Sequence, residues 1–340
     1  DPANLTRRIT DKAVDFIKRH KDESFFLYLP QPMPHAPLHV SKEYLAAVDD
    51  NTKKRLGISD QDIKRGLKKA MYPLVIGELD SAVGRVLDTL KELELDANTI
   101  VIYTSDNGPA GKLNSDGSKR YLSGRKTLTL EGGMRVPMIA QWKGKVKAGS
   151  VCNEVASTID LLPTIAHLTN SKTLKKPIDG KNIWKLLSDK KAKSPHKKEG
   201  FYYYSETIPQ AVRVGDWKLR IVKNKVELYN LDNDISEASN VAESNPKIVK
   251  KLRKYLNNLL CTTKHIGRMF QKTNVSCHER RCSKTEDLPE RKVPRHDGQH
   301  YAQRLEAHET VAGIGFYGLA GQKLFRVVGI EIANPGAFLG

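Results

Sequence analysis

The sequence of 340 residues lacks several features that would define its class directly. It contains no run of about 18–20 apolar residues, so we predict that no helix spans a membrane. It has no Cys-x-x-Cys pair, and its four cysteines match no common zinc-site spacing. It begins with Asp1 rather than Met, without a basic and then apolar leader. We therefore expect either a processed start or a piece of a longer protein.

Aromatic residues are also few, at 7% of the chain. No stretch interleaves them with Arg and Gly, as RNA-binding sheets do. The chain is nevertheless strongly basic, since 57 Lys+Arg against 39 Asp+Glu give a net charge of +18. Such a charge favours an anionic partner such as nucleic acid, anionic lipid or a sulfated or phosphorylated polymer, or simply a solvated lysine-rich surface. Without an RNA-binding pattern we predict no nucleic-acid partner.

The first part of the chain reads as an α/β unit. Two apolar runs, at residues 25–29 and 99–104, flank a helical pattern over residues 60–93. A helix between two buried strands predicts a βαβ unit with a parallel sheet and a right-handed crossover. Residues 136–142 are a third strand candidate. In such sheets, ligands bind beyond the carboxyl ends of the strands.

The following part reads as a small antiparallel module. After a Lys-, Ser- and Pro-rich linker, short apolar segments with tight polar connections predict strands at residues 202–204, 211–214, 217–221 and 226–229. A basic amphipathic helix over about residues 246–260 is expected to cover them. Beyond it no periodicity is clear. Cys261, Cys277 and Cys282 lie there, and either a disulfide or a zinc site with nearby histidines stays open.

Three loops carry candidate functional residues. Asp106 and Asn107 follow the second strand and offer two hard oxygen ligands of the kind Ca²⁺ prefers, although an Asx-turn would use the same residues. His35 lies between Pro34 and Pro37 on the loop after the first strand, where it suits proton transfer or anion binding, or is simply exposed. Lys126 precedes a Gly-Gly turn and could meet an anionic ester, or be an ordinary surface lysine.

Taken in order with further segments, these loops closely resemble the sulfatases of the alkaline-phosphatase-like superfamily, in particular arylsulfatases and N-acetylgalactosamine-6-sulfatases. The matching segments are Pro34-His35-Ala36-Pro37, Tyr72 to Leu90 with Asp80, Thr104-Ser105-Asp106-Asn107-Gly108, Lys126 with Glu131-Gly132-Gly133-Met134-Arg135-Val136-Pro137, Asp160-Leu161-Leu162-Pro163-Thr164, Asp179-Gly180, Gly215-Asp216-Trp217-Lys218 and Glu227-Leu228-Tyr229-Asn230-Leu231. The match runs in family order from about residue 4 to residue 260.

The resemblance implies a sulfuric ester hydrolase with one divalent metal, usually Ca²⁺. It implies that Asp106 and Asn107 bind the metal and that His35 and Lys126 contact the sulfate, with His35 as the candidate proton donor. A sulfated glycan or another sulfate ester is the expected substrate. The residue after that lysine is often Gly in the family but is Thr127 here, which puts the position of Lys126 in question.

The resemblance also implies a fold and a domain order. We expect a partial alkaline-phosphatase-like α/β sheet with flanking helices, followed by a small α+β antiparallel module. Residues 1–195 would form the C-terminal half of the catalytic domain and residues 196–260 the small subdomain. Residues 261–340 would be a basic and then Gly-rich tail of unknown fold. An incomplete sheet predicts an exposed apolar edge and poor solubility.

The N-terminal half that family members carry has no counterpart in the sequence. Their Cys- or Ser-x-Pro-x-Arg motif, whose first residue becomes formylglycine, is absent, as is the first strand that carries their paired Asp-Asp. We therefore expect a fragment with little or no sulfatase activity from a secreted or lysosomal enzyme, or a periplasmic one if the source is bacterial. The alternatives are a phosphoesterase or phosphoglycan transferase of the same superfamily, or a non-catalytic anion-binding protein.

Overall fold

The computed structural model describes residues 2–111, 121–171, 177–270 and 325–332, with side chains as far as residue 259 in the last long helix. The helices are α1 (Leu5–Arg19), α2 (Lys42–Ala47), α3 (Asp50–Leu56), α4 (Asp60–Lys64), α5 (Lys68–Glu92), α6 (Glu131–Met134), α7 (Leu161–Leu168), α8 (Trp184–Ser188) and α9 (Pro246–Phe270). The strands are β1 (Phe25–Gln31), β2 (Thr99–Ser105), β3 (Met138–Gln141), β4 (Phe201–Ser205), β5 (Ile208–Val214), β6 (Trp217–Val222), β7 (Lys225–Asn230) and β8 (Arg326–Ile332).

The first sheet has the strand order β1-β8-β2-β3. Strands β1, β8 and β2 are parallel, as predicted, whereas β3 runs antiparallel to β2. A parallel neighbour needs a crossover connection, usually a long helix. The segment between β2 and β3 contains only the four-residue helix α6 among its described residues, and it turns back along the edge of the sheet instead.

The centre of this sheet is filled by β8, which lies in the stretch for which the sequence predicted no fold. Its seven residues pair in parallel with β1 on one side and β2 on the other, so β1 and β2 are not neighbours. Its β-branched side chains suit a strand buried on both faces, and Val327, Val328, Ile330 and Ile332 are at most 1% exposed. The tail therefore contributes part of the core.

One face of the sheet packs against α1 and α5. Ile17 of α1 and Val86 of α5 meet Leu27 and Val328 of the strands, and all four are buried. The apolar positions of both helices recur every three or four residues, which puts them on one side. Each such side chain contributes roughly 1.5–3 kcal/mol on burial. The predicted helix over residues 60–93 is interrupted, since Gly66 takes a φ of +62° between α4 and α5.

The opposite face is covered by α7, α8 and the segment after β3. Trp142 packs at 5.5 Å from Trp184 and at 5.2 Å from Phe325, which immediately precedes β8. Leu161 and Ile165 of α7 join the same cluster.

The second sheet is an antiparallel meander in the order β4-β5-β6-β7. Helix α9 covers one face, where Val212, Leu219 and Leu228 meet Leu252 and Leu256. The helix reaches Phe270, ten residues beyond its predicted end. The second sheet lies within the predicted subdomain of residues 196–260, whereas the first sheet takes β8 from beyond it. The predicted domain boundaries stay a prediction.

Within the described ranges, no helix is both long and apolar enough to cross a membrane. Cys152 is exposed and its thiol is free. Cys277 and Cys282 lie outside the described residues, and of Cys261 only the backbone is described, so the disulfide and zinc alternatives stay open.

Candidate functional site

Two of the candidate loops leave the first sheet at the same edge. β1 ends at Gln31 and β2 ends at Ser105, and both run parallel to β8, which ends between them at Ile332. Neighbouring strands lie about 4.8 Å apart, so the loops after β1 and β2 start about 10 Å from each other. His35 and the Asp106-Asn107 pair therefore follow strands on either side of the end of β8.

The Asp106-Asn107 turn is fixed to the last residue of β8. The Asp106 N–H and the Ser105 hydroxyl both donate to the carbonyl oxygen of Ile332, at 3.2 and 3.1 Å. The Asn107 N–H donates to Oδ1 of Asp106 at 2.8 Å, which is a contact with the next residue and not the bond to the second residue on that defines an Asx-turn. The Asp106 side chain is exposed. This bond uses one of the roughly four lone-pair sites of a carboxylate, so it is compatible with a ligand role for Asp106.

The segment with Lys126 is interlocked with this turn through two backbone hydrogen bonds. The Lys126 N–H donates to the Pro109 carbonyl at 2.7 Å, and the Gly108 N–H donates to the Gly133 carbonyl at 3.0 Å. A Cβ on Gly108 would collide with the carbonyl oxygen of Gly132, so only glycine permits this approach. The structure therefore brings Lys126 and the Asp106-Asn107 turn together.

Thr127 holds an unusual backbone conformation for a β-branched residue, with φ at +77°. This is the left-handed region, which glycine occupies without steric cost. Thr127 therefore adopts a backbone conformation that suits the glycine often found at this position in the family. Lys126 is partly buried next to it, and the Leu128 N–H closes the turn on the Arg125 carbonyl at 2.9 Å.

His35 is exposed and is held by its own loop. Its Nδ1 lies 2.8 Å from the carbonyl oxygen of Ala36, and both flanking bonds to proline, at Pro34 and Pro37, are cis. Among the residues that the structure describes, no hydrogen bond joins His35 to Asp106, Asn107 or Lys126. His35 shares the sheet edge with them but makes no direct contact of that kind.

Sequence reasoning missed a charged residue at the end of β8. The carboxylate of Glu331 accepts a hydrogen bond from the Tyr28 hydroxyl of β1. Burial, Glu331 and the nearby Asp106 together raise the pKa of Tyr28 to about 12. The edge is therefore more acidic than the predicted residues imply. The β-branched alternation of residues 327–332 was the signal that could have located this strand.

An open groove of about 1310 Å³ runs from this edge along β3 towards the second sheet. Its lining includes Asp106 and Glu131, together with Tyr203 and Arg213 of the second sheet. His35 and Lys126 do not line it. The groove therefore includes Asp106 of the candidate site but neither His35 nor Lys126.

The comparisons with known proteins agree with this geometry. A family model described as Sulfatase matches residues 2–171, which is half of the chain. The chain belongs to the sulfatase family. A second family model, described as N-sulphoglucosamine sulphohydrolase, C-terminal, matches residues 120–262. The predicted family is thereby confirmed.

Curated relatives include N-acetylgalactosamine-6-sulfatases. The mouse protein is 32% identical over 248 residues, which cover 71% of this chain and 43% of the relative. The human protein is 35% identical over 217 residues, which cover 62% of this chain and 37% of the relative. The chain therefore spans about two fifths of the length of these sulfatases.

Solved structures give the same result. Ps i-CgsB is 31% identical with a TM-score of 0.63, over 75% of this chain and 54% of that one. It has also been solved in complex with k-i-k-neocarrahexaose. A Bacteroides thetaiotaomicron protein designated BT33336S-sulf is 27% identical with a TM-score of 0.59, over 76% and 55%. The predicted alkaline-phosphatase-like α/β sheet with a separate antiparallel sheet is confirmed.

The sulfatase family implies a divalent metal, and the donor set of this chain fits one in part. Asp106 and Asn107 offer a carboxylate and an amide oxygen, which are the hard ligands that Ca²⁺ selects. Ca²⁺ takes about six to eight such ligands. Within the described ranges, no group of three or more His, Cys, Asp or Glu side chains could hold a metal. The described residues therefore supply part of a coordination shell.

Proposed function

We propose that this sulfatase chain forms the anion-binding part of a sulfuric ester hydrolase that acts on sulfated glycans. The observation that carries the proposal is the interlocking of the Lys126 loop with the Asp106-Asn107 turn at the carboxyl end of β2. It joins the backbone of Lys126 to that of the Asp106-Asn107 turn at the edge of the sheet where α/β folds bind their ligands, which supports a joint role for a cation and two oxygen ligands.

Each candidate residue has a role that suits its chemistry. Asp106 and Asn107 would hold a calcium ion, which when bound neutralises charge on the non-bridging sulfate oxygens. Lys126 binds another of these oxygens through its ammonium group. His35 gives a proton to the leaving alcohol. With Nδ1 against the Ala36 carbonyl, Nε2 is the atom left to hold that proton.

The substrate class follows from the relatives. N-acetylgalactosamine-6-sulfatases and a protein solved with a carrageenan-type oligosaccharide are both about a third identical to this chain. We assign a sulfate ester on a carbohydrate to this site. We also assign the parent protein to the secretory or lysosomal route, or to the periplasm if the source is bacterial.

The chain of 340 residues binds this ester but releases little sulfate. It contains no Cys- or Ser-x-Pro-x-Arg motif, so the formylglycine nucleophile is expected in a part of the protein outside this sequence. An aryl sulfate assay on the chain tests this directly. Sulfate release at ordinary enzymatic rates would overturn it.

The binding role is tested by calorimetry with N-acetylgalactosamine 6-sulfate in the presence and absence of Ca²⁺. We expect Ca²⁺ to strengthen binding, and Lys126→Met to weaken it roughly tenfold or more, because a charged hydrogen bond is lost. Lys12→Met, an exposed lysine on α1, is the matched control and leaves the affinity unchanged.

Two results would contradict the proposal. Equal affinity for the unsulfated sugar would show that the sulfate group does not contribute to binding. Tighter binding of the corresponding 6-phosphate would favour the phosphoesterase alternative. If binding follows the proposal and activity stays absent even with the remaining part of the protein supplied, the non-catalytic alternative is favoured.

A further inference from the structure

A buried charge cluster joins the second sheet to the loop that carries Lys126. Lys218 of β6 has no exposed surface, and its Nζ lies 2.8 Å from Oε1 of Glu131 and 2.8 Å from Oε1 of Glu237. The same Nζ lies 4.1 Å from the centre of the Tyr203 ring, a cation–π arrangement. Glu131 is 2% exposed and Glu237 is 5% exposed. None of these residues belongs to the proposed anion site.

The cluster is anchored to backbone as well as to side chains. The Glu131 N–H donates to Oε2 of Glu237 at 2.6 Å. Oε2 of Glu131 also accepts from Arg135 at 2.9 Å. Burial raises the pKa of Glu131, but Lys218 and Arg135 outweigh it and hold that pKa below the usual value. Glu131 is thus kept as a carboxylate that links both modules.

A second set of contacts lies two residues earlier in the same loop. The Thr129 hydroxyl donates to Oε1 of Gln210 on β5 at 2.9 Å and accepts from Nε of Arg220 on β6 at 3.1 Å. Thr129 is fully buried. Side chains of the second sheet therefore hold both Thr129 and Glu131, three and five residues after Lys126.

Two further backbone hydrogen bonds close the loop that contains Lys126, Thr129 and Glu131. The Gly132 N–H donates to the Ser123 carbonyl at 2.7 Å, and the Gly133 N–H donates to the Leu130 carbonyl at 2.9 Å. Displacement of Glu131 must therefore displace the whole turn, including the hydrogen bond of Lys126 to Pro109.

A buried ion pair is a weak source of stability, because the charges lose their hydration. Replacing such a pair by apolar residues is often neutral or stabilising. Fixed geometry between two elements is what such a cluster supplies instead. We propose that Lys218 is a positioning residue, which sets the place of Lys126 through the Glu131-Glu237 pair. The second sheet is on this account part of the anion site's framework.

The proposal rests on the proposed anion-binding role of Lys126. One of the two measurements in its test is therefore independent of anion binding. Hydrogen exchange of the amides of Lys126, Gly132 and Gly133 is measured in the full chain and in Lys218→Met. We expect these amides to exchange roughly tenfold faster or more, while the β6–β7 amides change less. In the same variant, the dissociation constant for inorganic sulfate rises by at least about tenfold.

Two further variants keep the test decisive. Leu228→Ala removes a buried side chain of the second core and lowers the melting temperature without touching the loop. Glu237→Gln keeps an acceptor for the Glu131 N–H while removing one charge, and it serves if Lys218→Met does not fold. It is expected to loosen the loop in the same direction by a smaller factor.

The proposal is overturned if Leu228→Ala raises the hydrogen-exchange rates of the loop amides as much as the charge variants do, at an equal loss of melting temperature. It is also overturned if the loop amides keep their wild-type rates in Lys218→Met. A wild-type chain that binds no sulfate contradicts the proposed function instead, and the exchange rates still decide the positioning role.

Discussion

The two sheets of this sulfatase chain are assembled in opposite ways. The first draws its central strand from a distant part of the sequence, and the hydrogen bond from the Phe325 N–H to the Ser24 hydroxyl joins residues 301 positions apart. The second is a meander contained within residues 201–230. Pairing of distant strands costs the conformational entropy that the intervening chain loses when its ends are brought together. Strands that are neighbours in sequence lose less, because the loop between them is short. The site lies on the first sheet but is held in place by the second.

The largest expected effect comes from the strand at the centre of the first sheet. Ile330→Ala removes a side chain that is 1% exposed in β8 and should lower the free energy of unfolding by about 2–5 kcal/mol. Because β8 pairs with both β1 and β2, amides of both strands should lose protection together. Urea denaturation and hydrogen exchange measure the two quantities.

Leu228→Ala provides the matching change in the second sheet. It should cost a similar free energy but expose β4–β7 and α9 first, since its neighbours belong to that module. Unchanged protection of β1 in Ile330→Ala would contradict the central position of β8.

A smaller effect distinguishes the turns of the two sheets. Gly108→Ala adds a Cβ against the carbonyl of Gly132 and should cost about 1–3 kcal/mol, because backbone must shift. Gly215, in the turn between β5 and β6, has open space around it but a φ of +61°. Gly215→Ala should cost about 1 kcal/mol through conformation alone. Thermal melts of both variants measure the difference.

Gly215→Asn separates these causes, because asparagine tolerates the left-handed region. It should recover most of the stability lost in Gly215→Ala, whereas Gly108→Asn should not recover that lost in Gly108→Ala. Equal rescue at both positions would show that the first turn is limited by conformation rather than by space.

The smallest effect is a gain. Thr127→Gly relieves a β-branched residue at φ +77° and should raise the free energy of unfolding by about 0.5–1 kcal/mol, after the entropy cost of glycine in the unfolded chain. Asn224→Gly is the control in the β6–β7 turn, where asparagine already sits at φ +63°. It should change stability by less than about 0.3 kcal/mol. A loss of stability in Thr127→Gly would contradict the strain.

The same contrast explains what the sequence could predict. Strands β4–β7 follow from short alternating runs and tight turns, which are local signals. β1 and β2 follow from continuous apolar runs, and α5 follows from apolar periodicity. The position of β8 does not, because a local pattern cannot tell where a distant strand inserts, and the family resemblance ends near residue 260. β3 was expected as a strand, but its antiparallel direction depends on how the Lys126 loop turns back.

The candidate site was reached by resemblance more than by pattern. His35, Asp106, Asn107 and Lys126 would each have passed for loop or surface residues in isolation, and their roles stay predictions. The interlocking glycines were visible as motifs but not as a contact. Lys218 belongs to one of the segments that carry the resemblance, but the sequence predicted no role for it, because a lysine in an alternating strand normally faces solvent. Only the three-dimensional neighbourhood shows that it is buried between two carboxylates.

The order in which the strands leave the ribosome gives β8 a further consequence. About 220 residues separate the end of β2 from the start of β8. At a synthesis rate of about 5–20 residues per second, β2 waits roughly ten to forty-five seconds before its partner is made, and β1, which is synthesised earlier, waits longer. Meanwhile the second sheet has all its strands and can complete. During translation the nascent first sheet has unpaired strand edges, which is the situation that chaperones recognise.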